Sequence, residues 1–318
     1  MYKEKKIPVC FAFDENYAQH TGVAIFSLLT NASSPSKIIF YLVGKDLSFK
    51  SKITIERMIK SFGANLKFIP PSEDFKNLKS CRHIGMTTYQ RLILPEVLNE
   101  KKIIYLDGDM IVEGDISEIY QTNIKNSLLA AVPDSIESEN KRCSELQIPW
   151  NRGYFNSGAM VINCDKWKNL DVTKKVIDYL KNNPDKLVAP EQDALNALFY
   201  DRWIKLPLEW NCYRDSIIRA KKEGYKKRNI KKLKKPKIIH YVSSSKPWHY
   251  SDIHPLKKRY WFYLKQSPWK EFRYQDKTFG NFFYKIYRYV ATFSPKKVNK
   301  IIKKSMKNIG IYRIFLFN

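Results

Sequence analysis

The sequence predicts an α/β protein whose N-terminal portion is a parallel-type sheet with helices on both faces. Three observations predict it: short apolar runs recur along the chain, segments with helical spacing separate them, and two runs end abruptly at acidic residues. Parallel strands are apolar throughout because both faces of their sheet are covered, and strands that alternate with helices are typical of βαβ units. The 318 residues are enough for one large domain with a smaller annex.

Each predicted element follows from the spacing of its apolar residues. A short continuous apolar run is typical of a buried strand, and apolar residues three and four apart are typical of a helix. Beyond residue 221 the pattern weakens into a Lys-rich stretch and a basic-aromatic tail. In chain order, the sequence predicts a strand at 7–13, a helix at 17–30, a strand at 38–43, a helix at 48–62, strands at 66–69 and 103–106, apolar segments at 128–132 and 158–162, helices at 172–181 and 192–200, and a strand at 238–240.

The positive charge is concentrated in the last third of the chain. The formal net charge is +26, of which residues 221–318 carry +23 and residues 1–220 only +3. From Lys277 to Asn318 there are ten basic residues, ten Phe or Tyr residues and no carboxylate. Such a tail suits either nucleic acid or an anionic membrane surface, so the charge alone leaves two classes of partner open.

Cysteine usage and hydropathy indicate the compartment. The five Cys residues are odd in number, scattered and without C-x-x-C spacing, which fits neither a disulfide framework nor a zinc ribbon. No apolar run approaches the ~18 residues that a transmembrane helix needs. The first apolar stretch breaks at Asp14, too early for the core of a signal peptide. We therefore expect a cytoplasmic protein.

Two polar clusters follow predicted strands at the edge where an α/β sheet binds ligands. Asp14-Glu-Asn-Tyr17 follows the first strand, and Asp107-Gly108-Asp109 follows the strand at 103–106. Ligands of open α/β sheets bind beyond the carboxyl ends of the strands. Two carboxylates on a tight turn can reach one divalent cation, although Asp and Gly are also common turn residues. The strand that leads directly into this turn favours a metal–nucleotide site.

Three cationic or imidazole side chains add groups that such a site would use. His240 ends a predicted strand, and a donor set of two Asp and one His points to Mn²⁺ rather than Mg²⁺. Arg91 suits a diphosphate through its planar guanidinium, and Lys246, next to a Pro, suits a single phosphate charge. The ordinary interpretations are a structural His and solvated cations.

Two polar stretches begin further elements. Residues 155–158 start a strand with small polar groups, which suit sugar hydroxyls but are also ordinary in a turn. Glu191-Gln192-Asp193 open a helix, where carboxylates favour the helix dipole and are often simple caps.

Taken together, these segments resemble glycosyltransferase family 8, and within it the bacterial lipopolysaccharide and lipooligosaccharide galactosyl- and glucosyltransferases. The likeness covers roughly residues 7–270. It implies a GT-A fold, with a single nucleotide-binding domain of mixed, mainly parallel sheet at 1–270 and a small basic-aromatic helical region at 271–318. Six segments in the family's order are far more specific than any one of them. They are A-F-D-E-N-Y, R-H-I-G-M-T-T-Y-Q-R-L, Y-L-D-G-D-M, Y-F-N-S-G-A-M-V-I-N, E-Q-D-A-L-N and H-Y-V-S-S-S-K-P-W-H.

The resemblance implies a metal site and a nucleotide-sugar donor. Asp107, Asp109 and His240 would hold Mn²⁺, with Mg²⁺ as the alternative, and the metal would bridge the diphosphate of a UDP-sugar. The other implied contacts are with the uridine, by Asp14, Asn16 and Tyr17, the last stacking on uracil, and with the charge of the sugar or diphosphate, by Arg91 and Lys246.

The resemblance also implies a donor-sugar pocket and an acceptor site. Glu191 stands where the family has an Asp, so glucose and galactose both remain open as the transferred hexose. The acceptor would be a lipid-linked core glycan. The implied residues are Asn156, Ser157, Glu191 and Gln192 around the donor sugar, and His83 and Asp134 towards the acceptor.

Enzymes of family 8 retain the anomeric configuration, which in glycosidases usually means a covalent carboxylate intermediate. The resemblance places Gln192, a poor nucleophile, beneath the anomeric carbon. We therefore predict front-face displacement, in which the acceptor hydroxyl attacks on the leaving-group side and the Gln192 carbonyl dipole steadies the transition state. Glu191 and Asp193 are the alternative nucleophiles.

The tail at 271–318 gives the expected partner and location. Basic and aromatic residues together hold proteins at anionic leaflets, so we expect a peripheral protein at the inner face of the bacterial plasma membrane. A nucleic-acid-binding protein is the rival class, but no RNP, zinc-finger or basic-region pattern occurs. Within the enzyme class, the alternative is a glucosyltransferase acting on a protein, a teichoic acid or another glycan. A non-catalytic sugar-nucleotide sensor is a third interpretation.

Overall fold

The computed structural model of the chain describes residues 6–75, 86–214, 216, 230–231, 233–242 and 244–293. The chain forms two compact units, Met1–His240 and Tyr241–Asn318. The predicted boundary after residue 270 divides the chain by function and stays a prediction.

Strands and helices alternate through the first unit, close to the predicted order. The strands are β1 Ile7–Asp14, β2 Ile38–Lys45, β3 Asn65–Ile69, β4 Lys102–Leu106, β5 Met110–Val112, β6 Leu129–Pro133, β7 Phe155–Asn163, β8 Trp203–Lys205, β9 Cys212–Tyr213 and β10 Ile238–His240. The helices of this unit are α1 Glu15–Asn31, α2 Phe49–Ser61, α3 Leu94–Val97, α4 Ile116–Tyr120, α5 Ile136–Glu145, α6 Cys164–Asn169, α7 Val172–Asn182 and α8 Pro190–Phe199, with 3-10 turns at Pro35–Lys37, Met86–Leu92 and Leu208–Trp210.

The main sheet has seven strands in the order β3-β2-β1-β4-β7-β6-β8. The pairs β1–β2, β2–β3, β1–β4 and β6–β8 are parallel, whereas β7 is antiparallel to both β4 and β6. The predicted mixed, mainly parallel sheet is thus confirmed. Because β7 runs against β4, its first residues lie beside the carboxyl end of β4.

Side chains cover both faces of this sheet. Cys10 of β1 and Tyr105 of β4 belong to a buried cluster that also includes Trp167 of α6 and Leu195 of α8. Phe11 is buried as well, and successive side chains of a strand point to opposite faces. Burial on both faces explains why the strand sequences are apolar without alternation.

A small second sheet contains the predicted strand β10 together with two strands, β5 and β9, that the sequence did not predict. β10 lies in its centre, antiparallel to β5 and parallel to β9. Helix α1 supports it: the Ser27 hydroxyl accepts a hydrogen bond from the Val112 backbone N–H (2.9 Å), and the Asn31 side-chain amide donates to the Val112 carbonyl (3.0 Å). β5 and β9 have only three and two residues, too few for an apolar pattern.

The second unit contains α9 Lys257–Gln266 and α10 Phe279–Phe293. One side of α10 is held by Asn281, which donates to the Asp276 carbonyl (2.7 Å), and by Arg288, which donates to the Ser245 hydroxyl (2.5 Å). Over the residues that the structure describes, no helix is both long enough and apolar enough to span a bilayer. The large hydrophobic side chains exposed on α10 are Phe279, Phe282, Phe283, Ile286 and Tyr289.

Candidate active site

The candidate site lies at the carboxyl edge of the main sheet. β1 and β4 are parallel neighbours, with Cys10 beside Tyr105, so Asp14 at the end of β1 and Asp107 just after β4 lie at the same edge. The Asp107 backbone N–H donates to the Gly158 carbonyl (2.8 Å), which extends the β4–β7 pairing by one residue. Segments that are far apart in sequence thus meet at this edge, as predicted.

Asp107, Asp109 and His240 form a cluster in which one ligand atom from each lies within 4.8 Å of the others. His240 Nε2 is 3.2 Å from Asp109 Oδ1 and 3.8 Å from Asp107 Oδ2. The short sheet explains this proximity, because His240 of β10 pairs with Met110 of β5, the residue after Asp109. Two carboxylates and one imidazole nitrogen form a donor set that suits a divalent transition metal.

Arg91 holds Asp107 from the side away from His240. Its Nη2 donates to Asp107 Oδ1 (2.9 Å), and its Nη1 donates to the Ser157 carbonyl (3.0 Å) and hydroxyl (3.1 Å). Tyr105 also donates to Asp107 Oδ1 (2.9 Å). Burial lowers the pKa of Arg91, but the nearby Asp107, Tyr105 and Glu191 outweigh it and raise this pKa, so the guanidinium stays charged.

Two glycines allow the backbone segments to approach this closely. A Cβ on Gly158 would lie 2.4 Å from His240 Cε1 and 2.7 Å from Asp107 Oδ2. A Cβ on Gly108 would lie 2.2 Å from the Thr21 hydroxyl of α1. Any other residue at these positions would displace the metal-ligand candidates or the helix beside them.

Gln192, near the start of α8, is fixed in one orientation by its amide contacts. Its Oε1 accepts from the Ser157 backbone N–H (2.9 Å), and its Nε2 donates to Asp134 Oδ2 (2.9 Å) and to the Tyr154 hydroxyl (3.0 Å). Burial raises the pKa of Asp134, against the hydrogen bonds from Ser135 and Gln192 that lower it. The predicted donor-sugar residues Asn156, Ser157 and Gln192 are therefore joined to the predicted acceptor residue Asp134.

Asp193 is fully buried, and both of its carboxylate oxygens are occupied. Oδ1 accepts from Arg142 Nε (3.0 Å) and from the Tyr154 hydroxyl (2.5 Å). Oδ2 accepts from the backbone N–H groups of Val188 (2.8 Å) and Ala189 (2.9 Å) and pairs with Arg142 Nη2 (2.7 Å). These contacts tie the start of α8 to α5 and favour a positioning role over that of a nucleophile.

Glu191 presents the opposite situation, because one of its buried oxygens has no partner. Oε1 lies 3.6 Å from Arg91 Nη2, whereas Oε2 is buried without a hydrogen bond. Burial raises the pKa of Glu191, and the Arg91 charge opposes that shift. An unpartnered buried carboxylate oxygen is costly unless a ligand satisfies it.

The comparison with known proteins decides the family. The model of glycosyl transferase family 8 matches residues 8–252. The chain belongs to glycosyl transferase family 8. The family assignment and the glycosyltransferase class predicted from the sequence are confirmed.

Relatives and solved structures agree with this assignment. General stress protein A of Bacillus subtilis is 30% identical over 278 residues, covering 85% of this chain and 96% of that protein. Lipopolysaccharide 1,2-glucosyltransferase of Escherichia coli K12 is 28% identical over 269 residues, covering 83% and 79%. The structure of the galactosyltransferase LgtC with donor and acceptor sugar analogues superposes with a TM-score of 0.74, covering 82% of this chain and 96% of that chain at 24% identity. That likeness confirms the predicted GT-A fold.

The residues predicted to contact the uridine lie at the start of α1. The Asp14 carboxylate accepts from the Tyr17 backbone N–H (3.1 Å) and so caps the helix. Asn16 is exposed and Tyr17 half-buried. Tyr17 lies one turn before Thr21, which packs against Gly108, so these side chains share a helix face beside the turn at Asp107-Gly108-Asp109.

Two predicted site residues lie outside the described part of the first unit, and their roles stay predictions. Lys246 belongs to the second unit, where its amine donates to the Tyr241 carbonyl (2.9 Å). His83 lies outside the described residues.

Several residues of this family 8 site were missed by the sequence analysis. Asn211 contacts His240, Tyr154 contacts Gln192, and Arg142 contacts Asp193. Tyr154 is the first residue of the quoted segment Y-F-N-S-G-A-M-V-I-N, where it was given no role, whereas Asn211 and Arg142 belong to no quoted segment. Gly158 was quoted within that segment without a role, although its position before an apolar strand was a usable signal.

Proposed function

We propose that this chain transfers glucose or galactose from a UDP-sugar to a lipopolysaccharide or lipooligosaccharide core glycan, with retention of anomeric configuration. The observation that carries the proposal is the cluster of Asp107, Asp109 and His240 at the carboxyl edge of the sheet, with the buried Gln192 amide joined to the same β7 segment. The 1,2-glucosyltransferase relative supports the acceptor class, and the LgtC likeness supports the fold that carries it.

The donor set fits a divalent metal, with Mn²⁺ preferred over Mg²⁺ because one ligand is an imidazole nitrogen. Asp107, Asp109 and His240 would hold it. When bound, such an ion supplies Lewis-acid stabilisation for the negative charge of a leaving diphosphate. Arg91 keeps Asp107 Oδ2 aimed at the cluster, since its guanidinium contacts the other carboxylate oxygen, Oδ1.

Gln192 supports front-face displacement in this proposal. Its amide is buried and held by donors and acceptors on both sides, so its dipole is pre-organised for the positive charge that develops at the anomeric carbon. The acceptor hydroxyl attacks on the leaving-group side, its proton passes to a phosphate oxygen of the donor, and UDP leaves. In the alternative covalent route, the unpartnered Oε2 makes Glu191 a better nucleophile candidate than Asp193.

Because the proposed acceptor glycan is linked to a lipid, the enzyme would have to work at a membrane surface. Residues 221–318 carry a net charge of +23, and α10 exposes Phe279, Phe283 and Ile286 at helical spacing. Each basic residue near an anionic leaflet contributes about 1 kcal/mol, and an exposed apolar helix face adds burial in the interface. We therefore infer peripheral attachment at the inner face of the plasma membrane.

The deciding experiment measures UDP release from UDP-glucose and UDP-galactose, with Mn²⁺ or with EDTA, for the wild type and Asp109→Ala. We expect metal-dependent release from one donor and its loss in the variant. Turnover that is equal in EDTA would overturn the metal assignment, and failure to bind or turn over either donor would overturn the activity. A protein, a teichoic acid or another glycan is the alternative acceptor, to be compared once the donor is known.

A further inference from the structure

Asn211 is a buried residue that touches both a metal-ligand candidate and β7. It directly precedes β9 and is 1% exposed. Its Oδ1 lies 2.9 Å from His240 Nδ1, and its Nδ2 donates to Asn156 Oδ1 (2.8 Å). A short chain of hydrogen bonds thus runs from β7 to the imidazole ring.

The orientation of the Asn211 amide follows from the acceptor at the far end of this chain. Asn156 Oδ1 accepts from the Gly158 backbone N–H (3.0 Å), so it is an acceptor. Asn211 must present its NH₂ group to that oxygen, which leaves its own carbonyl oxygen facing His240. The opposite orientation would bring two buried carbonyl oxygens, those of Asn211 and Asn156, together without a hydrogen between them.

Because the Asn211 carbonyl oxygen can only accept a hydrogen bond, the His240 Nδ1 that faces it must carry a hydrogen. In a neutral imidazole only one nitrogen carries a hydrogen, so Nε2 is left with its lone pair. That lone pair faces Asp109 Oδ1 and Asp107 Oδ2. Rotation of the ring is also restricted, because the Gly158 backbone lies against Cε1 at a distance that excludes even a methyl group.

We propose that Asn211 is a positioning residue that holds His240 as the Nδ1–H tautomer, with the Nε2 lone pair aimed between the two aspartates. Ligating histidines in proteins are commonly oriented by a hydrogen bond to their other ring nitrogen. The metal-binding consequence rests on the proposed function, whereas the tautomer itself does not.

The first test reads the tautomer without metal or substrate. Long-range ¹⁵N–¹H correlation spectra of metal-free protein report which ring nitrogens carry a hydrogen, and comparison with His240→Gln assigns the His240 signals. We expect a protonated Nδ1 and an unprotonated Nε2 in the wild type, and loss of this preference in Asn211→Ala. A protonated Nε2 in the wild type, or an unchanged Nδ1–H form in Asn211→Ala, would overturn the inference.

The second test compares Mn²⁺ affinity by EPR titration. We expect Asn211→Ala to weaken binding by about 10- to 100-fold and Asn211→Asp, which keeps an acceptor for Nδ1–H, to bind more tightly than Asn211→Ala. A merely structural role predicts the reverse order, since a buried extra charge opposite Asn156 Oδ1 disturbs the fold more. If Asn211→Ala does not fold, the His240 tautomer of the wild type and the Mn²⁺ affinity of Asn211→Asp still test the inference.

Asn163→Ala is the matched control. Asn163 also makes two hydrogen bonds, to the Ile124 carbonyl and from the Lys166 backbone N–H, at the other end of β7. Its removal should leave both the tautomer and the Mn²⁺ affinity unchanged. A wild type that binds no Mn²⁺ would overturn the proposed function and leave the tautomer result standing.

Discussion

Arg91 and Asp107 form a buried ion pair, with Nη2 2.9 Å from Oδ1 and the Arg91 side chain 5% exposed. The guanidinium takes one carboxylate oxygen and leaves Oδ2 on the side of His240. It also bonds to the Ser157 carbonyl and hydroxyl. Arg91, predicted to contact the sugar or diphosphate, is thus seen to set the direction of a metal-ligand candidate.

Removing this guanidinium should destabilise the protein and weaken metal binding. Loss of one partner of a buried ion pair typically costs about 3–5 kcal/mol, so Arg91→Ala should lower the free energy of unfolding by that order in urea titrations. Arg57→Ala, at an exposed position of α2, serves as the control and should change it little. Equal stability of the two variants would contradict the role of the pair.

A methyl group at position 158 should impair the metal site while the fold remains. The Gly158→Ala Cβ would press on His240 Cε1 and Asp107 Oδ2, so we expect Mn²⁺ affinity to fall by at least about tenfold, measured by EPR titration with circular dichroism to check the fold. Gly280→Ala is the control, because its Cβ would meet only the Thr278 hydroxyl at 3.9 Å. Unchanged affinity in Gly158→Ala would mean that the ligands adjust freely.

Loss of the Gln192 amide should slow turnover more than it weakens donor binding. An oriented dipole that acts on developing charge is worth about 10²–10³ in kcat, so Gln192→Ala should show that loss with a KM for the UDP-sugar near the wild-type value. Gln90→Ala is a matched buried control, since among the described residues the Gln90 amide bonds to the backbone of Ser72. Near-normal turnover in Gln192→Ala would refute its role.

Polar substitutions on the exposed face of α10 should release the protein from membranes. We expect Phe279→Ser, Phe283→Ser and Ile286→Ser combined to reduce sedimentation with anionic vesicles and to leave UDP release unchanged, because these side chains are solvent-exposed. Phe49→Ser, at an isolated exposed Phe of α2, should have no effect. If the triple variant still sediments with the vesicles, other residues must be responsible for membrane attachment.

The half-buried amine of Lys257 predicts a pH dependence of stability. Burial lowers the pKa of Lys257 to about 8, and nearby Asp252 only partly compensates. A lowered pKa means that the unfolded chain binds more protons between pH 8 and the ordinary lysine pKa of about 10.4, so stability should rise with pH across this window. Urea titrations at pH 7 and pH 10 should show a smaller rise for Lys257→Met than for the wild type.

Lys258→Met provides the control for this pH experiment, because Lys258 is the exposed neighbour. Its stability should follow the wild type at both pH values. The rise attributed to Lys257 has an upper limit of about 1.4 kcal/mol per pH unit for one proton, and it is smaller where solvent screens the amine. An identical pH dependence in Lys257→Met and Lys258→Met would exclude Lys257 as its source.

The main sheet and its carboxyl edge could be predicted because their strands carry continuous apolar runs. Ile7–Asp14 and Lys102–Leu106 are buried on both faces, so their sequences report their environment directly. The short sheet could not be predicted in this way, since Met110–Val112 and Cys212–Tyr213 are too short to show a period.

The same distinction separates the site residues that could be predicted from those that could not. Asp107, Asp109 and Gln192 stand next to predicted elements, whereas the partners that orient them depend on tertiary contacts. Arg142 reaches Asp193 from another helix, and Asn211 reaches His240 through strand pairing. Neither pair is close in sequence, and neither has a pattern that a single sequence reveals.

The strand pairing that unites Asp109 with His240 also has a consequence for synthesis. The two residues are far apart in the chain, and β10 must insert between β5 and β9 before the imidazole reaches the carboxylates. During synthesis, the two aspartates are therefore added to the chain long before His240 completes the donor set. Contacts between such distant segments form slowly, and a ligand that binds only the finished fold stabilises it by mass action. If the chain binds a metal as proposed, capture of the ion would be a late event, because it requires the completed donor set of the first unit.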